Sequence, residues 1–232
     1  IYIIKNSMSG RIVFTGKILD GWDISFTDET NLEYLNNSEA LQLSDENGLT
    51  GCITFYDIKL KNILIDSKNS KCEDSINFIN VSGSIDNIKV QNSISDGVDF
   101  DFSNLKINNL ISINSKNDCI DFSYGQYLIK NVVSEYCGDK GLSVGENSNV
   151  KVKELISKYS EIGVASKDSS VTEIDQANLE NIIICFSAYN KKQEFNGALL
   201  NVNNHECNNY DQKFNFDDQS IIKLNNKIMK KT

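Results

Sequence analysis

"GVDFDFSNLKINNLISINSKNDCIDFSY", residues 97–124, decides the fold. It opens on Gly-Val-Asp-Phe-Asp-Phe and closes, 22 residues later, on Cys-Ile-Asp-Phe-Ser-Tyr. In both hexads apolar residues alternate with polar ones, the period of a half-buried strand. Val98, Phe100, Ile120 and Phe122 are expected to face inward. Asp99, Asp101 and Asp121 are then left on the outside.

The spacing extends in both directions. "SINFIN" at 75–80, "GLSVGE" at 141–146, "GVASKD" at 163–168 and "CFSAYN" at 185–190 continue the series. With Gly97 and Cys119, their leading residues are all small and lie at five successive intervals of 22. "CITF" at 52–55 adds a unit 23 residues upstream of Ser75. A small residue at one phase of every unit packs where space is tight. The next residue is always apolar: Ile76, Val98, Ile120, Leu142, Val164, Phe186.

A second series, apolar-x-apolar-x-Asn, runs out of phase with the first. Its members end at Asn6, Asn62, Asn92, Asn109, Asn131, Glu154, Asn181, Asn204 and Asn226. Asparagine tolerates the left-handed backbone of a sharp bend. Stacked at one position, its amides can bond each other. Asn109 and Asn131 are therefore expected at equivalent bends, buried and amide-bonded between coils.

Short strands, tight turns and a period near 22 describe a solenoid. Unbroken helical periodicity and the leucine-rich signature L-x-x-L-x-L-x-x-N are both missing. The small-residue column and the Asn bend resemble right-handed parallel β-helix proteins, the pectate-lyase-like superfamily, over roughly residues 50–230. The fold class is all-β: one right-handed parallel β-helix, a single-stranded solenoid of eight to nine coils, over residues 1–232. Residues 27–50 break the pattern and read as an insertion protruding from the stack, with a short helix. Residues 210–232 read as the last coil and a C-terminal tail, with "KIMKK" a solvated end.

Composition bounds the function. A hydrophobic content of 40% supports a core. A net charge of −9 speaks against nucleic-acid binding, which needs a basic face. No apolar run reaches membrane-spanning length, and no Thr-x-Thr array suggests an ice-binding surface. Six cysteines without a C-x-x-C pair exclude a zinc site of the usual spacing. They are expected to be mostly free, buried thiols acting as small apolar residues. The chain starts inside a coil without a signal peptide, so flanking domains of a larger chain are expected, outside the cell or at its surface.

The period stacks the acids in columns. One reads Asp74, Asp96, Asp118, Lys140; a second reads Asn77, Asp99, Asp121, Ser143; a third begins Asp101, Ser123. Adjacent coils lie about 4.8 Å apart, so stacked carboxylates repel by on the order of 1–3 kcal/mol. Three readings follow. The acids form a solvated face that discourages aggregation. Or they hold a hard cation, Ca²⁺, with Asp74, Asp96 and Asp118 as ligands. Or Asp96, Asp99, Asp101, Asp118, Asp121 and Tyr124 bind a sugar, with Asp99, Asp121 and Lys140 as candidate catalytic groups.

The resemblance implies that substrate binds on this face. It also implies motifs that are absent. There is no Asn-Thr-Asp, Gly-His-Gly or Arg-Ile-Lys, and a chain without proline cannot hold Tyr-Gly-x-Asp-Pro-His. The one histidine, His205, reads as structural or solvated. Tyr124, Tyr127, Tyr136, Tyr159 and Tyr189 recur near turns and offer stacking surfaces. The sequence thus suggests a carbohydrate-directed module, Ca²⁺-assisted, with no cleavage assigned. The alternative is a non-catalytic structural or adhesin-like solenoid segment of a larger surface protein.

Overall fold

A computed structural model describes residues 1–7, 10–30 and 44–229. The chain is an all-β parallel solenoid of about nine coils. Its strands are β1 (Tyr2–Lys5), β2 (Ile12–Thr15), β3 (Ile18–Asp20), β4 (Asp23–Asp28), β5 (Gly51–Tyr56), β6 (Lys59–Lys61), β7 (Leu64–Lys68) and β8 (Asp74–Ile79). They continue as β9 (Ser82–Ser93), β10 (Asp96–Ser115), β11 (Ile120–Gly145), β12 (Asn149–Lys167), β13 (Val171–Tyr189), β14 (Leu199–Phe216), β15 (Ile221–Leu224) and β16 (Lys227–Ile228). The long strands bend around corners and so contribute to more than one face. Every pairing is parallel except the closing β15–β16 hairpin.

Three faces result. The first holds 51–56, 74–79, 96–101, 120–123 and 140–145, then the ends of β12, β13 and β14. The second holds 59–61, 82–85, 104–107, 126–129, 149–152, 171–174 and 199–202. The third holds 64–68, 87–93, 109–115, 131–137, 154–160 and 176–182. The expected register is present: Val98 pairs with Ile76 and Ile120, and Asp99 with Asn77 and Asp121.

Val98, Phe100, Ile120 and Phe122 are fully buried. Inside the first face Phe14, Phe55, Phe78, Phe100 and Phe122 stack ring on ring, with centroids 5.1, 4.9, 4.8 and 4.6 Å apart. Such pairs add about 0.5–1.5 kcal/mol each beyond area burial. Gly97 shows why the leading column stays small: a Cβ there would lie 2.2 Å from Ser112 Oγ.

The Asn series merges several columns. At the corner between the second and third faces, Asn87, Asn109, Asn131 and Glu154 are in register. Asn131 Nδ2 donates to Asn109 Oδ1 at 2.9 Å, but both residues are only half-buried and neither has left-handed backbone. The left-handed bends form other columns. One runs Asn69, Asn92, Asn114, Tyr136, Tyr159, Asn181, with Asn92 donating to Asn69 at 2.9 Å and Asn114 to Asn92 at 2.7 Å. Tyr136 and Tyr159 continue it as a stack at 4.6 Å. The other runs Asp57, Asn80, Phe102, Tyr124. Phe102, in phase with the inward residues, is thereby turned out to 54% exposure.

The cysteine expectation is overturned. Cys52 bonds Cys72, Cys119 bonds Cys137 and Cys185 bonds Cys207. Cys119 and Cys137 belong to different faces, but the corner between them brings their Cα atoms to 5.3 Å, within disulfide range. One bridge falls in about every third coil, each across the corner where the third face returns to the first. Strand β4 ends at Asp28 and β5 begins at Gly51. Within the expected insertion, residues 31–43 and the helix proposed there lie outside the described residues, as does the end of the tail, 230–232. Among the described residues no helix is long and apolar enough to cross a membrane.

Candidate acidic groove on the first face

Alternation along the first face turns Thr54, Asn77, Asp99, Asp121 and Ser143 outward in one row. This row is not wet. Thr54, Asn77 and Ser143 are at most 1% exposed, and Asp99 and Asp121 are half-buried. Two features raise walls around it. Lys167 lies across Gly145, whose absent Cβ would sit 3.4 Å from Lys167 Cε, and reaches Asp121 at 3.7 Å. Residues 190–197 fold back toward the rim: Lys192 pairs with Glu146 at 2.7 Å, and Phe195 meets Tyr124 edge-on at 6.2 Å.

Within the row, Asn77 Nδ2 donates to Asp99 Oδ2 and to Asp101 Oδ2, both at 3.0 Å. Four outward oxygens, Thr54 Oγ1, Asn77 Oδ1, Asp99 Oδ1 and Ser143 Oγ, are enclosed and have no hydrogen-bond partner among the described residues. Asp101 is in register with Ser123, whose hydroxyl donates to Glu146 at 2.7 Å.

The parallel column of Asp74, Asp96, Asp118 and Lys140 works differently. Asp96 Oδ1 accepts the Asp118 N–H at 2.8 Å, and Asp118 Oδ1 accepts the Lys140 N–H at 3.0 Å. Each carboxylate thus caps the amide of the next coil. The Lys140 ammonium is held by Asp118 at 3.3 Å and by Asp139. Stacking puts Asp74, Asp96 and Asp118, the residues of the metal expectation, in a line along the axis, and Oδ1 of Asp96 and of Asp118 is taken by the next coil, whereas the Asp96 N–H goes to the Glu73 carbonyl at 2.8 Å. Among the described residues no group of three His, Cys, Asp or Glu gathers around a common point.

Burial raises the acids. It holds Asp74 and Asp99 well above the usual carboxylate range, with neighbouring carboxylates adding to the effect. The neighbouring Asp101 carboxyl acts on Asp99 in the same direction as burial. Burial, with the Asp118 charge behind it, raises Asp96 to about 7. Asp101 and Asp118 are raised in the same sense, chiefly by burial. For Lys140 burial opposes the charge, but Asp118 and Asp139 outweigh it and push the ammonium further up. Lys140 is therefore a locked cation, unsuited to accept a proton near neutrality.

Of the residues singled out from sequence, Asp74, Asp96, Asp99, Asp101, Asp118, Asp121, Tyr124 and Lys140 share this surface. Tyr127 does not: it is buried, its hydroxyl accepting the Ser103 N–H at 3.2 Å. His205 continues the inward column of Val132, Leu155 and Ala177, half-buried and edge-on to Phe186 at 5.4 Å, with Nδ1 3.0 Å from Asn225 Oδ1. Lys192 and Phe195 were missed. Their signal was a lengthened coil: Val171 pairs with Leu199, 28 residues on.

No protein-family model matches this chain, and no curated protein matches it.

Proposed function

We propose that the chain binds a neutral or amine-bearing glycan along the groove of the first face. One observation carries the reading: half-buried Asp101 and Asp121, on adjacent coils, open beside the stacked rings of Phe102 and Tyr124. Carboxylate oxygens that remain open to solvent accept hydrogen bonds from a hydroxyl- or amine-bearing ligand. Asp101 and Asp121 offer acceptor oxygens to it. On the rim, Phe102 and Tyr124 stack at 4.5 Å and present apolar surface to a sugar ring. The face agrees with the placement implied by the pectate-lyase-like resemblance, and the disulfides fit an oxidising, extracellular setting.

The three bridges, one in about every third coil, favour a second reading: a rigid structural segment of a larger surface protein. One experiment separates the two. A glycan array, followed by calorimetry on the hits, is run on the wild type, on Asp99→Asn with Asp121→Asn, and on Tyr124→Ala. Binding that both variants weaken tenfold or more, with circular dichroism unchanged, supports the groove. A wild type that binds no glycan, or variants that bind equally well, leaves the structural reading.

A further inference from the structure

The third face has an apolar centre turned toward solvent. Its inward positions, such as Leu110, Ser112, Val132 and Leu155, are buried. The residues that alternate with them point outward in two rows along the axis. One row runs Lys89, Ile111, Val133, Ile156, Asn178, Glu206. The other runs Gln91, Ile113, Glu135, Lys158, Glu180, Asn208. Ile111, Ile113 and Val133 are half-buried, and Ile156 is 37% exposed. At the edge of the face Tyr136 and Tyr159 stack at 4.6 Å, both rings exposed. Apolar residues scattered singly on a surface are ordinary, but here they adjoin on three successive coils and are rimmed by charge, the make-up of a protein interface.

The order of charges along the rows selects the occupant. Lys89 begins the first row and Glu206 ends it, five strand spacings or about 24 Å away. Neither has an ion pair among the described residues. Glu135 and Lys158 hold the two middle positions of the second row. We propose that a second copy of this chain docks here face to face, the two solenoid axes antiparallel. The two-fold axis runs along the strands, between the coil of Val133 and the coil of Ile156, and returns each row to itself in reverse order. Lys89 then meets Glu206 of the other copy. Glu135 meets Lys158, Val133 meets Ile156, and Gln91 meets Asn208. Each contact occurs twice, as an isologous interface requires. Ile111 and Ile113 of each copy face a depression of about 280 Å³ on the other, lined by Ile156, Lys158, Asn178, Glu180, Glu206 and Asn208. Parallel axes would exchange the two rows within one coil. Val133 would then press on Glu135 and Ile156 on Lys158, burying charges without partners. The contact does not use the first-face groove and stands whether or not that groove binds anything.

The test is sedimentation velocity of the full chain from about 1 μM to about 1 mM, at about 0.05 M salt, with circular dichroism confirming that each variant is folded. Wild type is expected to become a dimer within this range. Val133→Lys with Ile156→Lys should weaken the dimer on the order of tenfold or more, and Leu128→Lys, outward on the second face, should leave it within about twofold. Lys89→Glu alone and Glu206→Lys alone each set like charges opposite one another at both ends of the interface, and each should weaken it on the order of tenfold. Mixed in equal amounts, these two variants should dimerise as well as wild type, because every contact between positions 89 and 206 then joins opposite charges. A wild type that stays monomeric at every concentration overturns the proposal and leaves the face to a different partner. A dimer that the Val133 and Ile156 substitutions do not weaken also overturns it, as does a mixture of the two charge variants that associates no better than either alone.

Discussion

Replacing Asp96 with Asn removes one charge from the acidic stack and keeps its hydrogen bond, because Asn Oδ1 can still accept the Asp118 N–H now received by Asp96 Oδ1 at 2.8 Å. The magnitude follows from proton affinity. In the folded chain burial and the Asp118 charge raise Asp96 to about 7, against about 3.9 when unfolded. A raised folded value means that the stability linked to this group is fully present below about pH 4 and is lost as pH rises through 7. Each tenfold change in proton affinity is worth about 1.4 kcal/mol, so the full loss is on the order of 4 kcal/mol by pH 8. The variant escapes that loss, and Asp118 is relieved of a like charge as well. Urea denaturation followed by circular dichroism, without reductant, at pH 4 and pH 8 measures it. The variant is expected to match wild type at pH 4 and to exceed it by on the order of 2–4 kcal/mol at pH 8. Equal stabilities at pH 8, or a less stable variant, would refute the view that Asp96 is an uncompensated charge.

Other consequences are as direct. Alkylation of the unfolded, unreduced chain should add nothing, and reduction should expose six reactive thiols by mass; replacing Cys119 and Cys137 together with Ser should lower stability by about 3 kcal/mol, the value for a loop of this size. Phe100→Ala opens the middle of the ring stack and should cost about 3–5 kcal/mol in urea denaturation. Asn131→Ala removes a half-buried amide bond to Asn109 and should cost about 1 kcal/mol. Adding Ca²⁺ should leave the melting temperature unchanged, because Asp74, Asp96 and Asp118 stand in line along the axis and not around a common point; an upward shift that grows with Ca²⁺ concentration would contradict this.

Much of the site was legible as columns. A strict period turns sequence position into height along the axis, so Asp74 over Asp96 and Asn77 beside Asp99 beside Asp121 followed from counting. The exposure of those columns did not. Thr54, Asn77 and Ser143 alternate outward yet are almost fully enclosed, and elsewhere on the face Lys167 reaches Asp121 and Lys192 reaches Glu146 from later coils. Nothing local to "DFDF" records that. The Asn series shows a related error: Asn92 and Asn131 end similar pentads, yet one sits at a left-handed bend and the other at a corner with ordinary backbone. A pentad specifies a turn residue but not which of several corners it occupies.

The sequence by itself determined the repeat, the inward row of Val98, Phe100, Ile120 and Phe122, and the stacking partners of each acid. These depend only on a period of 22 and on the alternation of strand side chains. Tertiary structure decided the rest. It paired Cys119 with Cys137, because a corner folds one face back on another. It raised Asp96 and Asp99, because burial is set by what crosses a face and not by what composes it. It also separated an acidic first face from a third face with an apolar centre, because composition sums over a chain while a partner meets one surface at a time.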